Sequence, residues 1–381
     1  MGCIAPPENA RRDFRGDACP SRVRARTKAA IWKTAAVFLL TALMAIVLYP
    51  AWKPLAKRSK WFVIATDVGL DSLRRYGLSE TQIGQPEHLS IPDAGMAKIL
   101  QDNRLIYNRY LRFAHWSPAD VAGKRMIELG PGYTIGVPLL FAADGADRVV
   151  GIDKFVPLQE GADFRKLYSR MREELSREQQ RHFDRAIGLE PDLRLNPQVV
   201  TYIDHKELPD SVQQLGAGTY DIIVSNAVME EIYDPLPTFL AQDQALRPGG
   251  LMVHVIDLRD YGMFSKYGFH PLEFLTIPDW IYRRMVASSG QPNRLLVNSY
   301  RDLAAKLGYS SEIYITRVLG QDAELPQPKL ALASGDISPE AAQMLHQIRP
   351  QLLSRYRTLS DSDLLTQSIV FVGHKPLQGH S

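Results

Sequence analysis

The chain has 381 residues, with 45 Lys/Arg and 42 Asp/Glu for a formal charge of +3. Residues 1–33 hold eight Lys/Arg against three Asp/Glu, a surplus of five, so everything after them sums to −2. A body so near neutrality lacks the electrostatic footprint of a nucleic-acid-binding protein. Both cysteines, Cys3 and Cys19, lie in the tail, which excludes a thiol nucleophile, a disulfide and a cysteine metal site from the body. The nine histidines are scattered, with no HExxH and no run at ligand spacing, which argues against a protein-bound metal.

In chain order, residues 1–30 are rich in Arg, Pro and Ala without periodicity and read as a disordered basic tail. Residues 31–52 form an apolar segment. From 34 to 49 every residue except Thr34 and Thr41 is apolar, Trp32 and Trp52 stand at the ends, and Lys33, Lys53, Lys57, Arg58 and Lys60 flank it. That length is near the lower limit for a transmembrane helix. A cleaved signal is disfavoured by the long preamble. Pro6 spoils the myristoylation pattern that Met1-Gly2-Cys3 begins. Residues 53–115 read as a linker and helical buttress. The apolar positions Met96, Ile99, Leu100, Leu105, Ile106, Tyr110, Leu111 and Phe113 predict one or two amphipathic helices packed on the globular domain beyond them.

That domain, 116–376, opens on an apolar run at Arg125–Leu129, a Gly130-Pro131-Gly132 turn and a helical stretch at Gly136–Ala143. A second apolar run, Arg148–Ile152, is closed by Asp153. Strand, glycine loop, helix, strand and acid make the front half of a nucleotide-binding α/β sheet. The glycines admit a ligand close to the backbone, and the acid is placed to take both hydroxyls of a ribose. Residues 161–187 predict one long charged helix. Further strands are predicted at 198–203, 220–225, 251–256, 311–316 and 368–373, with helices at 234–246 and 299–307, a turn at 247–250 and a helix cap at Ser360. The expected fold is therefore α/β: a doubly wound, mostly parallel, seven-stranded Rossmann-like sheet, carrying insertions at 258–295 and 325–365.

The glycine spacing, Gly130-x-Gly132-x-x-x-Gly136, departs from the dinucleotide pattern, and Glu128 stands two residues ahead of the first glycine. Taken together, these features resemble the class I S-adenosylmethionine-dependent methyltransferases. Glu128-Leu-Gly-Pro-Gly132 is similar to their first cofactor loop, and Asp153 matches their ribose-binding acid. Asp204, with Leu208-Pro209 behind it, resembles the adenine-side loop after the third strand. Ser225-Asn226-Ala-Val-Met-Glu230 is similar to the segment after the fourth strand, and Leu246-Arg-Pro-Gly-Gly250 to the turn before the fifth. The resemblance runs from 125 to 257 and extends to 373 with the last two strands. It implies S-adenosyl-L-methionine as cofactor, held by Glu128, Gly130, Gly132, Asp153, Asp204 and Asn226.

Methyl transfer needs alignment and, for an oxygen or nitrogen nucleophile, a base. Base candidates belong at the carboxyl ends of the fourth and fifth strands. His254, Asp257 and Asp260 are the leading ones, with Tyr261, Glu230 and Glu231 behind them. Related sequences often carry histidines where this chain has Glu231 and Tyr261. His254 shares a strand face with Met252 and Ile256, which favours a core position, so Asp257 at the strand tip is the better base. Phe264, Tyr267, Phe269, Trp280 and Tyr282 either pack the insertion or line an acceptor site. Arg283, Arg284 and Arg294 are either solvated or meet an acidic substrate group.

The expected activity is O-methylation of a small-molecule, saccharide- or lipid-linked acceptor. The alternatives are a non-catalytic membrane-tethered binding protein and a nicotinamide-dependent oxidoreductase. Because the cofactor is cytosolic, the catalytic domain is expected to face the cytoplasm. The excess of Lys/Arg before the apolar run pulls the other way. A start at Met44 would remove that conflict.

Overall fold

The computed structural model describes residues 59–75, 91–154, 162–288, 290–321 and 323–377. The contacts divide the chain into Met1–Pro54 and Leu55–Ser381. The first unit, with the basic tail and the apolar segment expected at 31–52, lies outside the described residues. Among those described, no helix is long and apolar enough to cross a membrane.

Two helices precede the sheet, α1 (Lys60–Arg75) and α2 (Asp93–Ala114). The apolar pattern at 96–113 thus produces one continuous helix, which ends where His115 turns left-handed and its N–H bonds back to the last carbonyls. The sheet comes next: β1 (Arg125–Leu129), α3 (Gly136–Ala143), β2 (Arg148–Ile152), α4 (Ala162–Glu173) and α5 (Arg177–Ala186). The single long helix expected over 161–187 is two, because Ser176 and Gln179 form a reciprocal capping box that starts a new helix. A two-stranded antiparallel ribbon comes after it, β3 (Ile187–Gly188) with β4 (Arg194–Leu195).

The chain then runs through β5 (Val200–Ile203), α6 (Leu208–Leu215), β6 (Tyr220–Asn226), α7 (Leu236–Ala245) and β7 (Leu246–Asp257). The turn expected at 247–250 is a bulge within β7, where Leu246 and Leu251 face Tyr220 and Ile222. The insertion carries α8 (Asp279–Val286), followed by α9 (Val297–Lys306) and β8 (Ser310–Val318). The second insertion supplies α10 (Pro339–Ile348), α11 (Ser354–Arg357) and α12 (Asp361–Leu365) before β9 (Thr366–His374). Ser360 caps α12 as its sequence predicts, accepting from Asp363 N at 3.1 Å.

Strand order is β5-β2-β1-β6-β7-β9-β8. The first five strands are mutually parallel, and β9 lies antiparallel between β7 and β8. Each sheet face has its own core. Ile127, Ile223, Met252 and Phe371 pack with α6, α7, α8 and α9, whereas Met126, Val224, Val253 and Val372 pack with α2, α3, α4 and α5. Burial on both faces explains why the strands read as continuous apolar runs. The parallel register also aligns the strand ends. Leu129 lies beside Ile152 and Ser225, Ile152 beside Ile203, and Ser225 beside His254. The residues just beyond that row form one edge, where ligands bind in open α/β sheets.

Candidate active site

Four of the six residues expected to hold a cofactor come directly after that row: Gly130, Asp153, Asp204 and Asn226. Gly130 and Gly132 both adopt left-handed backbone, at φ of 64° and 75°. A side chain at Gly130 would run into Val228 Cγ2, whereas one at Gly132 would meet nothing within 4 Å. The loop is therefore packed on one side and open on the other. Asp153 reaches into it and accepts Gly132 N at 3.0 Å. Asp204 is exposed at the end of β5, and Asn226 is half-buried at the end of β6.

Glu128 lies under the loop, 3% exposed. Tyr110, from α2, donates to its Oε1 at 3.4 Å, and Oε2 has no partner among the described residues. Burial raises its pKa to about 8 against the help of that hydroxyl, and the charge of Asp153 adds to the rise. The buttress helix expected before the domain is thus part of the site. It also carries Asn103, whose Oδ1 accepts Thr134 Oγ1 at 3.4 Å and whose buried Nδ2 has no partner among the described residues. Neither contact is visible in the local sequence, because each joins residues from separate elements.

The expected bases fare unequally. His254 is fully buried, with Nδ1 2.8 Å from Ser225 Oγ and Nε2 2.8 Å from Gln242 Oε1. Its burial lowers the pKa to about 3, so the ring stays neutral in the core between Phe239 and Phe371. Asp260 is also sealed. Its oxygens accept Gly262 N, Phe264 N, Ser265 N and Ser265 Oγ, all at 2.7–2.9 Å, closing the turn after β7. Asp257 does stand at the strand tip, but Arg259 grips both its oxygens. The chemistry-bearing feature at this end is Glu230. Its Oε1 accepts Tyr261 Oη at 2.7 Å and Asp257 N at 2.9 Å, and its buried Oε2 has no partner among the described residues. Burial pushes the Glu230 pKa up to about 8, against those hydrogen bonds.

Of the aromatic residues in the insertion, Phe264 and Tyr282 are core, whereas Trp280 is 69% exposed. Arg294 is neither solvated nor open to a ligand. It is 4% exposed, with donors to the carbonyls of Phe274 and Ile277 and a place 3.8 Å over the Tyr282 ring. Its neighbour Asn293 fastens the loop after β6 by donating to Met229 O and Ile232 O, both at 2.8 Å.

Two buried carboxyls with raised pKa values make stability fall as pH rises. The ordinary glutamate value is 4.5, and Glu128 and Glu230 lie near 8 in the fold. Between those limits the folded chain binds more protons than the unfolded one, so stability is greatest low in the window and is lost towards its top. The expected result is a Tm that drops from pH 5 to pH 8, by less in Glu230→Gln. Thermal melts across that range check it, and an unchanged slope in the variant would count against a protonated Glu230.

A family model described as a methyltransferase domain matches residues 99–308. Among solved structures, an S-adenosylmethionine-dependent methyltransferase from Mesorhizobium loti aligns at 16% identity. The alignment covers 70% of this chain and 96% of that one, with a TM-score of 0.34. Phosphoethanolamine N-methyltransferase 2 of Haemonchus contortus, in complex with S-adenosyl-L-methionine, aligns at 15% identity over 80% of this chain and 60% of its own, with a TM-score of 0.39. An arsenic(III) S-adenosylmethionine methyltransferase from Chlamydomonas reinhardtii aligns at 15% identity over 69% and 66%, with a TM-score of 0.35. No curated protein matches the chain.

Proposed function

The chain belongs to the methyltransferase-domain family whose match spans residues 99–308, and from that membership we propose that it uses S-adenosylmethionine to methylate an oxygen of a small-molecule, saccharide- or lipid-linked acceptor. One observation supports the cofactor assignment above the rest. Glu128 is a buried acid with an unmet oxygen beside an open glycine loop. An acid so placed is costly unless a cation or donor meets it. S-adenosylmethionine brings an ammonium and a sulfonium, together with two ribose hydroxyls that suit the carboxylate of Asp153. When bound, the cofactor supplies the methyl group on a sulfur leaving group. Gly130 and Gly132 would let it approach the backbone, Glu128 would hold its ammonium, and Asp204 and Asn226 would flank its nucleoside. The nicotinamide alternative has no place in this family.

On the acceptor side, Glu230 and Tyr261 are the proton-handling pair. In its ionised form, which predominates above a pH of about 8, Glu230 can take the proton of Tyr261 along the existing hydrogen bond while Tyr261 takes that of the acceptor oxygen as it is methylated. Such a relay is ordinary general-base work for a carboxyl held near 8. Once an acceptor is in hand, Glu230→Gln should lower kcat while leaving cofactor affinity alone. A kcat equal to wild type would remove Glu230 from the reaction. For location, we propose that residues 31–52 tether the enzyme to a membrane with its body facing the cytoplasm. The apolar run and its basic flanks support the tether, and the cytosolic cofactor supports the facing, against the excess of Lys/Arg before the run. Protease protection in sealed membrane preparations tests that placement.

The cofactor assignment is tested by calorimetric titration across pH. Binding of the ammonium favours ionised Glu128, so affinity should rise with pH up to about 8. The gain should approach tenfold per pH unit, about 1.4 kcal/mol, and binding should release a proton. In Glu128→Gln the residue's share of both effects disappears. Equal pH slopes in the two proteins would contradict the role given to Glu128.

A further inference from the structure

A groove of ≈ 690 Å³ lies on the outer face of α8, lined by Tyr233, Asp279, Trp280, Arg283, Arg284 and Ser288 among others. That volume is in the range of small-molecule sites. Its charge is unbalanced for a specific reason. Asp279 is the groove's acid, yet Arg294 and Arg355 take its oxygens from elsewhere in the fold. Arg283 and Arg284 are both exposed and have no carboxylate partner among the described residues. The Arg283 guanidinium instead sits 5.6 Å over the ring of Tyr233. Trp280, on the same helix, presents most of its surface to solvent.

The groove's position ties it to the reaction. Tyr233 lies on the loop that leaves the carboxyl end of β6, only two residues after Glu231. The other wall is α8, and the segment after it returns to that same loop: Asn293 N donates to Glu230 O at 2.7 Å. The groove therefore adjoins the edge of the sheet where the acceptor has to meet the cofactor. That edge is itself acidic, with Glu128, Asp153, Glu230, Glu231 and Asp257 gathered on it. These groups offer an anion no free cation, whether burial keeps them protonated, as at Glu128 and Glu230, or an arginine already holds them, as at Asp257, so an anionic group of the acceptor needs cations farther out. Two guanidiniums that both line the groove, each able to bind bidentately and accompanied by an indole and a phenol, meet that need.

We propose that this groove is the acceptor's recognition subsite and that Arg283 and Arg284 bind a phosphate group of the acceptor, with Trp280 and Tyr233 packing on the part beside it. The proposal rests on the methyltransferase reading for its purpose. Its test does not, because anion binding is measured without cofactor. A phosphate of this kind comes either on a soluble ester or in a lipid headgroup, and the experiment separates the two.

The full chain in neutral maltoside micelles is titrated with inorganic phosphate while tryptophan fluorescence is followed. A parallel titration adds mixed micelles containing phosphatidylglycerol, with phosphatidylcholine as the neutral control. Arg283→Ala/Arg284→Ala is compared with wild type and with Arg283→Lys/Arg284→Lys, and Tm confirms that each variant is folded. The expected result is saturable binding of phosphate that weakens tenfold or more in the alanine pair and is partly restored in the lysine pair. Binding confined to phosphatidylglycerol micelles, with the same loss in the alanine pair, supports the proposal with a lipid headgroup as the source. No binding of either probe by wild type, or equal binding by the alanine pair, overturns it. S-adenosylmethionine affinity measured on the same samples should be unchanged by either pair. Its absence from all of them would count against the methyltransferase reading and leave the anion result standing.

Discussion

Gly130→Ala should destabilise the domain by about 2–5 kcal/mol and remove measurable cofactor binding. Two costs add. The position has a φ of 64°, and a left-handed residue with a Cβ costs roughly 1–2 kcal/mol. The new methyl would also stand 2.4 Å from Val228 Cγ2, and forcing extra volume into a packed contact typically costs about 1–3 kcal/mol. Val228 is half-buried on the loop after β6, so relief of the clash would push apart the two loops proposed to flank the cofactor. Placing the change in a Val228→Ala background should recover the steric part and leave the backbone part. Denaturant unfolding of the four proteins of that cycle checks the separation. Additive losses would mean that the two loops are not in contact as described.

Arg294→Met should cost about 3–5 kcal/mol, although the residue touches no expected ligand. Its Nη1 satisfies two buried carbonyls, Phe274 O at 3.1 Å and Ile277 O at 2.6 Å, and a buried acceptor left unmet costs about 1–3 kcal/mol. The guanidinium also lies over Tyr282 at 3.8 Å, a contact worth about 2 kcal/mol when desolvated. Methionine keeps the apolar stem and loses everything else, a sum of about 4–8 kcal/mol that relief of the guanidinium's own desolvation brings down. Asp279 is spared, because Arg355 still holds it. Guanidinium unfolding should show the midpoint shift at unchanged m. A loss within about 0.5 kcal/mol, the range of an ordinary surface change, would show that Arg294 is not the centre of the insertion's packing.

Much of this fold is legible from short-range signals, and its misreadings have local causes. The helix Gly136–Ala143 and the strands Arg125–Leu129 and Arg148–Ile152 fall where glycine loops and uninterrupted apolar runs bound them. Helix Leu208–Leu215 is hidden because its Pro209 reads as a loop residue, although proline is well tolerated in a first turn. The break at Ser176 is written in its capping box, but the charged residues on either side carry one apparent helical face across it. Helix Lys60–Arg75 is held by partners far along the chain, including Lys60 to Glu273 at 2.8 Å.

The cofactor edge is legible for a related reason. Its residues come after strand ends, and strand ends are marked by glycine and acids. The acceptor end is less so. Asp260 has the composition of a base, yet its oxygens close a turn within five residues of itself. The sequence leaves Arg294 between solvent and substrate because its partners are two backbone carbonyls, a ring and Asp279, 15 residues away. Glu230 gains its character from burial, and its hydrogen-bond partner Tyr261 lies 31 residues away. In each case the role depends on which hydrogen bonds are already taken, and residue type does not reveal that.

The central claim is that S-adenosylmethionine sits between the Gly130-Pro131-Gly132 loop and Asp153. Calorimetric titration of the cofactor into the wild-type chain and into Asp153→Ala tests it most directly. The variant loses both the acceptor for the ribose hydroxyls and the 3.0 Å bond to Gly132 N. The account predicts saturable binding by wild type and an affinity at least tenfold weaker in the variant, about 1.4 kcal/mol or more. Equal affinity in the two proteins, or no binding by wild type, would contradict it.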